Sequence, residues 1–132
     1  MENRKILVDS TLLIDFLRKM NKEKSILWRL REKYNNLSIS TISVFELYAG
    51  ATSTKKLEDV EILLRWFEVI GFSDEIAELA GKLLVQMRKK NLLIEYRDLF
   101  IGATAVFSDM ELATFNTKHF ENIPGIKLFT EL

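Results

Sequence analysis

Three carboxylates in this chain keep unusual company. Asp9 ends the apolar run Ile6-Leu7-Val8, Glu46 lies inside Ile42-Ser43-Val44-Phe45-Glu46-Leu47, and Asp98 precedes Leu99-Phe100-Ile101-Gly102-Ala103. A carboxylate in apolar surroundings is costly to desolvate unless something positive meets it. Brought together by folding, three acids repel one another and call for a cation. The composition narrows the choice. There is no cysteine, and His119 is the only histidine, so thiolate and multi-histidine metal sites have no ligands. The economical reading is a hard divalent ion, Mg²⁺ or Mn²⁺, held by oxygen ligands.

The elements that would position these acids follow from hydrophobic periodicity. Residues 5–9 form a short apolar run suited to a buried parallel strand. Ser10 or Thr11 is placed to cap a helix carrying Leu12, Leu13, Phe16 and Leu17. Residues 25–34 read as helical, with Ile26, Leu27, Leu30 and Tyr34 at helical spacing. Residues 37–40 read as a strand. Thr41 or Ser43 is a candidate cap for the helix that carries Glu46, and Gly50 a candidate stop. Residues 55–67 read as a helix, residues 69–72 as a strand. Ser73 with Asp74 and Glu75 starts a helix that ends near Arg88-Lys89-Lys90, where cations suit the helix dipole. Residues 97–109 read as a helix, 112–115 as a strand, 116–121 as a short turn or helix, and 126–129 as a last strand.

This alternation implies a mostly parallel sheet with helices on both faces, a three-layer α/β/α arrangement. Ligands of such sheets collect beyond the carboxyl ends of the strands. Asp9 and Asn116 each follow a strand directly, and Glu46 and Asp98 reach the same rim from early helix turns. One pocket is therefore expected to gather them.

The length of 132 residues, with one proline and no linker-like or repeated stretch, predicts a single domain over residues 1–132. A hydrophobic content of 48% with 29% charged residues excludes a disordered tail protein. Lys plus Arg and Asp plus Glu both total 19, so net charge neither announces nor excludes a nucleic-acid partner. No signal peptide or bilayer-length apolar run is visible, and a cytoplasmic location without membrane contact is expected.

Four segments in order carry a family resemblance: Val8-Asp9-Ser10-Thr11-Leu12-Leu13-Ile14-Asp15-Phe16-Leu17, Ser43-Val44-Phe45-Glu46-Leu47-Tyr48-Ala49-Gly50, Arg97-Asp98-Leu99-Phe100-Ile101-Gly102-Ala103-Thr104-Ala105, and Leu112-Ala113-Thr114-Phe115-Asn116-Thr117-Lys118-His119-Phe120. Together they closely resemble the PIN-domain family, and within it the VapC-type toxins of type II toxin–antitoxin pairs. The resemblance extends through Ile123-Pro124-Gly125-Ile126-Lys127-Leu128. It implies the PIN-like α/β fold and a Mg²⁺- or Mn²⁺-dependent endoribonuclease leaving a 5′-phosphate and a 3′-hydroxyl. It assigns metal ligation to Asp9, Glu46 and Asp98. Asn116 stands where many relatives carry aspartate, and Thr114 at a hydroxyl position beside the site. Both are expected to orient a water or a phosphate oxygen. RNA substrate, a small VapB-like antitoxin and a homodimer are the implied partners, with the first helix and residues 57–67 as candidate surfaces.

Plainer roles compete for several of these residues. Asp9 and Asp98 suit helix caps, Asn116 a turn. Asp15 reads as a structural partner for an arginine, and His119 as a surface residue after the last acid position. Tyr48 and Tyr96 at helical spacing read as core more readily than as base-stacking groups, and Trp28 and Trp66 as packing or interface residues. The basic cluster Arg18, Lys19, Lys22, Lys24, Arg29 and Arg31 reads as a solvated face before an RNA groove. Other functions compete too. A phosphoacceptor receiver needs a late lysine, for which only Lys118 is available, and Glu46 fits it badly. Dehalogenase-type phosphatases want an aspartate where Thr11 stands. A non-catalytic scaffold is the third reading, kept open by Asn116.

Overall fold

The computed structural model describes residues 2–132, with side chains from Arg4 onward. Its elements are β1 (Glu2–Val8), α1 (Ser10–Arg18), a 3-10 turn (Lys22–Lys24), α2 (Ile26–Lys33), β2 (Tyr34–Ser40), α3 (Thr41–Ala49), α4 (Thr54–Leu64), β3 (Glu68–Ile70), α5 (Asp74–Lys89), α6 (Tyr96–Phe107), β4 (Glu111–Ala113) and α7 (Thr117–Phe120). The strands pair in parallel in the order β3-β2-β1-β4. β1 is central, so its residues face apolar layers on both sides. Ile6 and Val8 enter one core with Leu12, Leu13, Phe16, Leu27, Leu30, Val60 and Leu63. Leu7, pointing the opposite way, enters a second core with Ile76, Ala80, Leu83, Met87, Leu99 and Phe120. This period of two is what a strand sandwiched between helices requires. The expected three-layer α/β/α arrangement is therefore present.

Serines fix where several helices begin. Ser25, Ser40, Ser53 and Ser73 each accept a backbone N–H from the first turn of the following helix, satisfying donors that have no partner within the helix. The cap of α3 is thus Ser40 and neither Thr41 nor Ser43. Thr41 Oγ1 instead accepts from the Phe72 amide at 3.2 Å. Gly50 ends α3 as its spacing predicts.

Other expectations require correction. The helix read over residues 55–67 stops at Leu64, and Trp66 and Phe67 lie in tighter turns whose amides reach Leu63 and Leu64. Residues 126–129 do not form a strand. β4 is only three residues long, and the segment meets it at a single bridge, Leu112 with Leu128. Asp15 pairs with Lys19 one turn along α1, not with an arginine. Tyr48 and Tyr96 are exposed, not core. Lys22 is not a free surface cation, because its Nζ donates to the carbonyls of Phe16, Leu17 and Lys19 at the end of α1. Among the described residues, no helix is long and apolar enough to cross a membrane.

Candidate active site

β1 delivers Asp9 to the carboxyl end of the sheet. The Asp9 amide continues the ladder, donating to Ala113 O at 2.9 Å. Asp9 occupies the cap position of α1, yet its side chain makes no capping bond. It turns inward and is fully buried. Oδ2 accepts from Thr11 Oγ1 at 2.9 Å and from Thr114 Oγ1 at 2.8 Å, while Oδ1 accepts from Arg97 at 2.8 Å. The plain capping role is therefore not the one this carboxylate fills.

Thr11 Oγ1 also accepts the Phe115 amide, and Thr114 Oγ1 accepts the Asn116 amide at 3.0 Å. Each hydroxyl spends its hydrogen on Asp9 and its lone pairs on the segment after β4. The two threonines thereby lock the chain following β4 to the carboxylate following β1.

Glu46 arrives from α3. Ser10 Oγ, at the start of α1, donates to Glu46 Oε1 at 2.7 Å and lies 2.8 Å from the buried Ser43 Oγ. Asp98 arrives from the first turn of α6 and is nearly buried. The Nδ1 of His119, an exposed residue of α7, lies 3.3 Å from Asp98 Oδ2. His119 is exposed as the sequence predicts, but it borders the acid cluster.

At the centre of these acids is the Arg97 guanidinium. Its Nε contacts both Glu46 oxygens at 3.1 and 3.0 Å, one terminal nitrogen meets Asp98 Oδ1 at 2.7 Å, and the other meets Asp9 Oδ1 at 2.8 Å. The planar fork of arginine suits such multidentate contact. Partial burial alone would pull the guanidinium pKa down. The Glu46 hydrogen bonds, the Asp9 charge and the Asp98 hydrogen bond more than reverse this and raise it above its ordinary value. No buried side-chain polar atom among the described residues lacks a partner.

The geometry thus gathers Asp9, Glu46, Asp98 and Thr114. Asn116 joins through its backbone N–H, and its side chain makes no hydrogen bond to the acids among the described residues. Sequence reasoning gave no role to Arg97, and it read Ser10 and Ser43 only as candidate helix caps. Arg97 had one signal: it is the cation immediately preceding Asp98, and three clustered acids demand one. Nothing local in the sequence joined the two serines to each other or to Glu46.

The donor set suits a hard divalent ion: carboxylates of both aspartates and of Glu46, with hydroxyls behind them. Among the described residues, no three acidic or imidazole side chains stand in metal-holding geometry. The Arg97 guanidinium lies between these acids. A groove of about 230 Å³ adjoins the site, lined by Ile14, Leu17, Leu47 and Val60, with Arg18 and Glu46 among its polar members.

Comparison with known proteins agrees with this architecture. The model of the PIN domain matches residues 6–126. Ribonuclease VapC1 of Methanocaldococcus jannaschii is 32% identical over 130 residues, spanning 97% of this chain and 89% of the relative. Ribonuclease VapC10 of Mycobacterium tuberculosis is 36% identical over 122 residues, spanning 92% and 90%. The crystal structure of DNA-bound VapBC from Salmonella typhimurium superposes with a TM-score of 0.85 at 26% identity, covering 96% of this chain and 97% of that one. A family match over nearly the whole length, a shared fold and acids gathered at the carboxyl end of a parallel sheet leave one assignment: the chain belongs to the PIN-domain family and stands among its VapC members.

Proposed function

We propose that this protein is a metal-dependent endoribonuclease, the toxin of a VapBC-type pair. The observation that carries the reading is the convergence of Asp9, Glu46 and Asp98 on a single cation. VapC ribonucleases are metal-dependent in general. In this chain the three acids would hold Mg²⁺ or Mn²⁺, directly or through water. When bound, such an ion neutralises the phosphodiester and lowers the pKa of a coordinated water.

The chain's own residues hold that chemistry in register. Thr11 and Thr114 fix Asp9, and Ser10 with Ser43 fixes Glu46. The Thr114 hydroxyl hydrogen is committed to Asp9, so Thr114 acts as a positioning residue. The Asn116 side chain is left to orient a phosphate oxygen or a water. His119, beside Asp98 at the exposed rim, meets the substrate side. Arg18 extends positive charge along the groove towards the RNA backbone.

The apolar groove between α1, α3 and α4 fits a small antitoxin laying an apolar segment against Leu17, Leu47 and Val60, beside Glu46 at the mouth of the acidic pocket. Homodimerisation belongs to the same reading. The phosphoacceptor alternative loses its support, since the cation among the acids is Arg97 while Lys118 is exposed.

The test is cleavage of a mixed RNA pool by antitoxin-free protein in Mg²⁺, Mn²⁺ or EDTA. Cleavage is expected only with metal. Asp9→Asn and Asp98→Asn are each expected to lower the rate by about 10²-fold or more, the scale for losing one preorganised electrostatic group. Cleavage that survives EDTA or either substitution would reject the assignment.

A further inference from the structure

The acid cluster already contains a cation that belongs to the chain. Arg97 engages Asp9, Glu46 and Asp98 at once, each through an oxygen that a metal would need. A Mg²⁺ held by Asp9, Glu46 and Asp98 together at roughly 2.1 Å would stand in the space between those carboxylates, which the guanidinium nitrogens fill at 2.7–3.0 Å from each. Guanidinium and divalent ion are therefore mutually exclusive occupants of one charge-matched position.

Arg97 is also built to leave. Its side chain is 27% exposed at the rim, whereas Asp9 is fully and Asp98 almost fully buried. The long, flexible arm reaches inward from the first turn of α6, and rotation about its own bonds carries the charge back to solvent. The acids cannot follow it. Asp9 is held by two threonine hydroxyls and Glu46 by Ser10.

We propose that Arg97 is a resident counter-ion that holds the acid cluster together in the metal-free protein and is displaced when a divalent cation binds. The proposal rests on the metal-nuclease reading above. It makes the metal-free form stable at the cost of metal affinity, because part of the binding free energy is spent on expelling the guanidinium.

The experiment compares wild type with Arg97→Gln, which keeps polarity and most of the length but removes the charge. Mn²⁺ binding is measured by calorimetry on the antitoxin-free full chain, and thermal unfolding in EDTA and in saturating Mn²⁺. Arg97→Gln is expected to bind Mn²⁺ about tenfold more tightly or better, a difference of about 1.4 kcal/mol. Its melting temperature should lie below wild type in EDTA, and the gap should close or reverse in Mn²⁺. A purely structural arginine would leave the same gap in both conditions. That result, or unchanged or weaker Mn²⁺ binding by the variant, would overturn the proposal while leaving the nuclease assignment standing. If neither protein binds Mn²⁺, both readings fall. If the variant does not fold in EDTA, recovery of folding on adding Mn²⁺ supports the proposal, and failure in both conditions rejects it.

Discussion

At the scale of single residues, the site is a hydrogen-bonded frame with little slack. Thr114 Oγ1 donates to Asp9 and accepts from the Asn116 amide, so removing it breaks two contacts. Thr114→Val keeps the shape and loses the hydroxyl. The outer-shell partner of a metal ligand typically contributes 10–100-fold to affinity or activity, so a loss of about that size is expected in single-turnover RNA cleavage. The stranded Asn116 amide should cost about 1–3 kcal/mol in urea unfolding, and Thr114→Ser should restore most of both. Why the acids were legible in the sequence and their partners were not follows from the same chemistry. A carboxylate amid leucines and isoleucines is expensive wherever it occurs, so its residue type alone marks it. Arg97 is an ordinary surface residue by type. Its meaning comes from reaching Glu46 and Asp9, 51 and 88 residues away, which no local pattern encodes. Thr11 and Ser10 read as helix caps and instead turn their hydroxyls on the carboxylates.

At the scale of elements, α6 must bring Asp98 to the rim while packing closely beneath α7. Gly102 permits that approach: a β-carbon there would lie 2.3 Å from Ile123 Cδ1 and 3.7 Å from Phe120. Ile123 is buried, so its methyl has little room to rotate away. Gly102→Val is expected to destabilise by about 1–3 kcal/mol, the usual range for overpacking. Combining Gly102→Ala with Ile123→Val, which deletes the clashing methyl, should cost less than the sum of the single changes in a double-mutant cycle. The helices were readable because their apolar stripes and serine caps are local. The end of the chain was not. Ile126 and Leu128 alternate like a strand, but β4 offers only one residue with which to pair, and strand formation depends on the partner as much as on the segment.

At the scale of the whole molecule, one sheet couples two cores. Trp28 and Trp66 pack against the core that contains Ile6 and Val8, while Leu7 lies in the other. Leu7→Ala should cost about 2–5 kcal/mol. If the protein unfolds as one cooperative unit, that change on the far face lowers the midpoint reported by tryptophan fluorescence as much as the midpoint reported by far-ultraviolet circular dichroism. Separate midpoints would mean that the layers melt independently. The same sheet also sets when the pocket comes into being. β4 is the last of the four strands in sequence, and it pairs beside β1, the first. Asp9 leaves the ribosome early, but Arg97 and Thr114 reach it only after residues 97–114 have been made. A nascent chain therefore carries Asp9 without an assembled pocket until those residues have emerged. If that pocket cleaves RNA, the ribosome making the protein is spared until residue 114 has emerged.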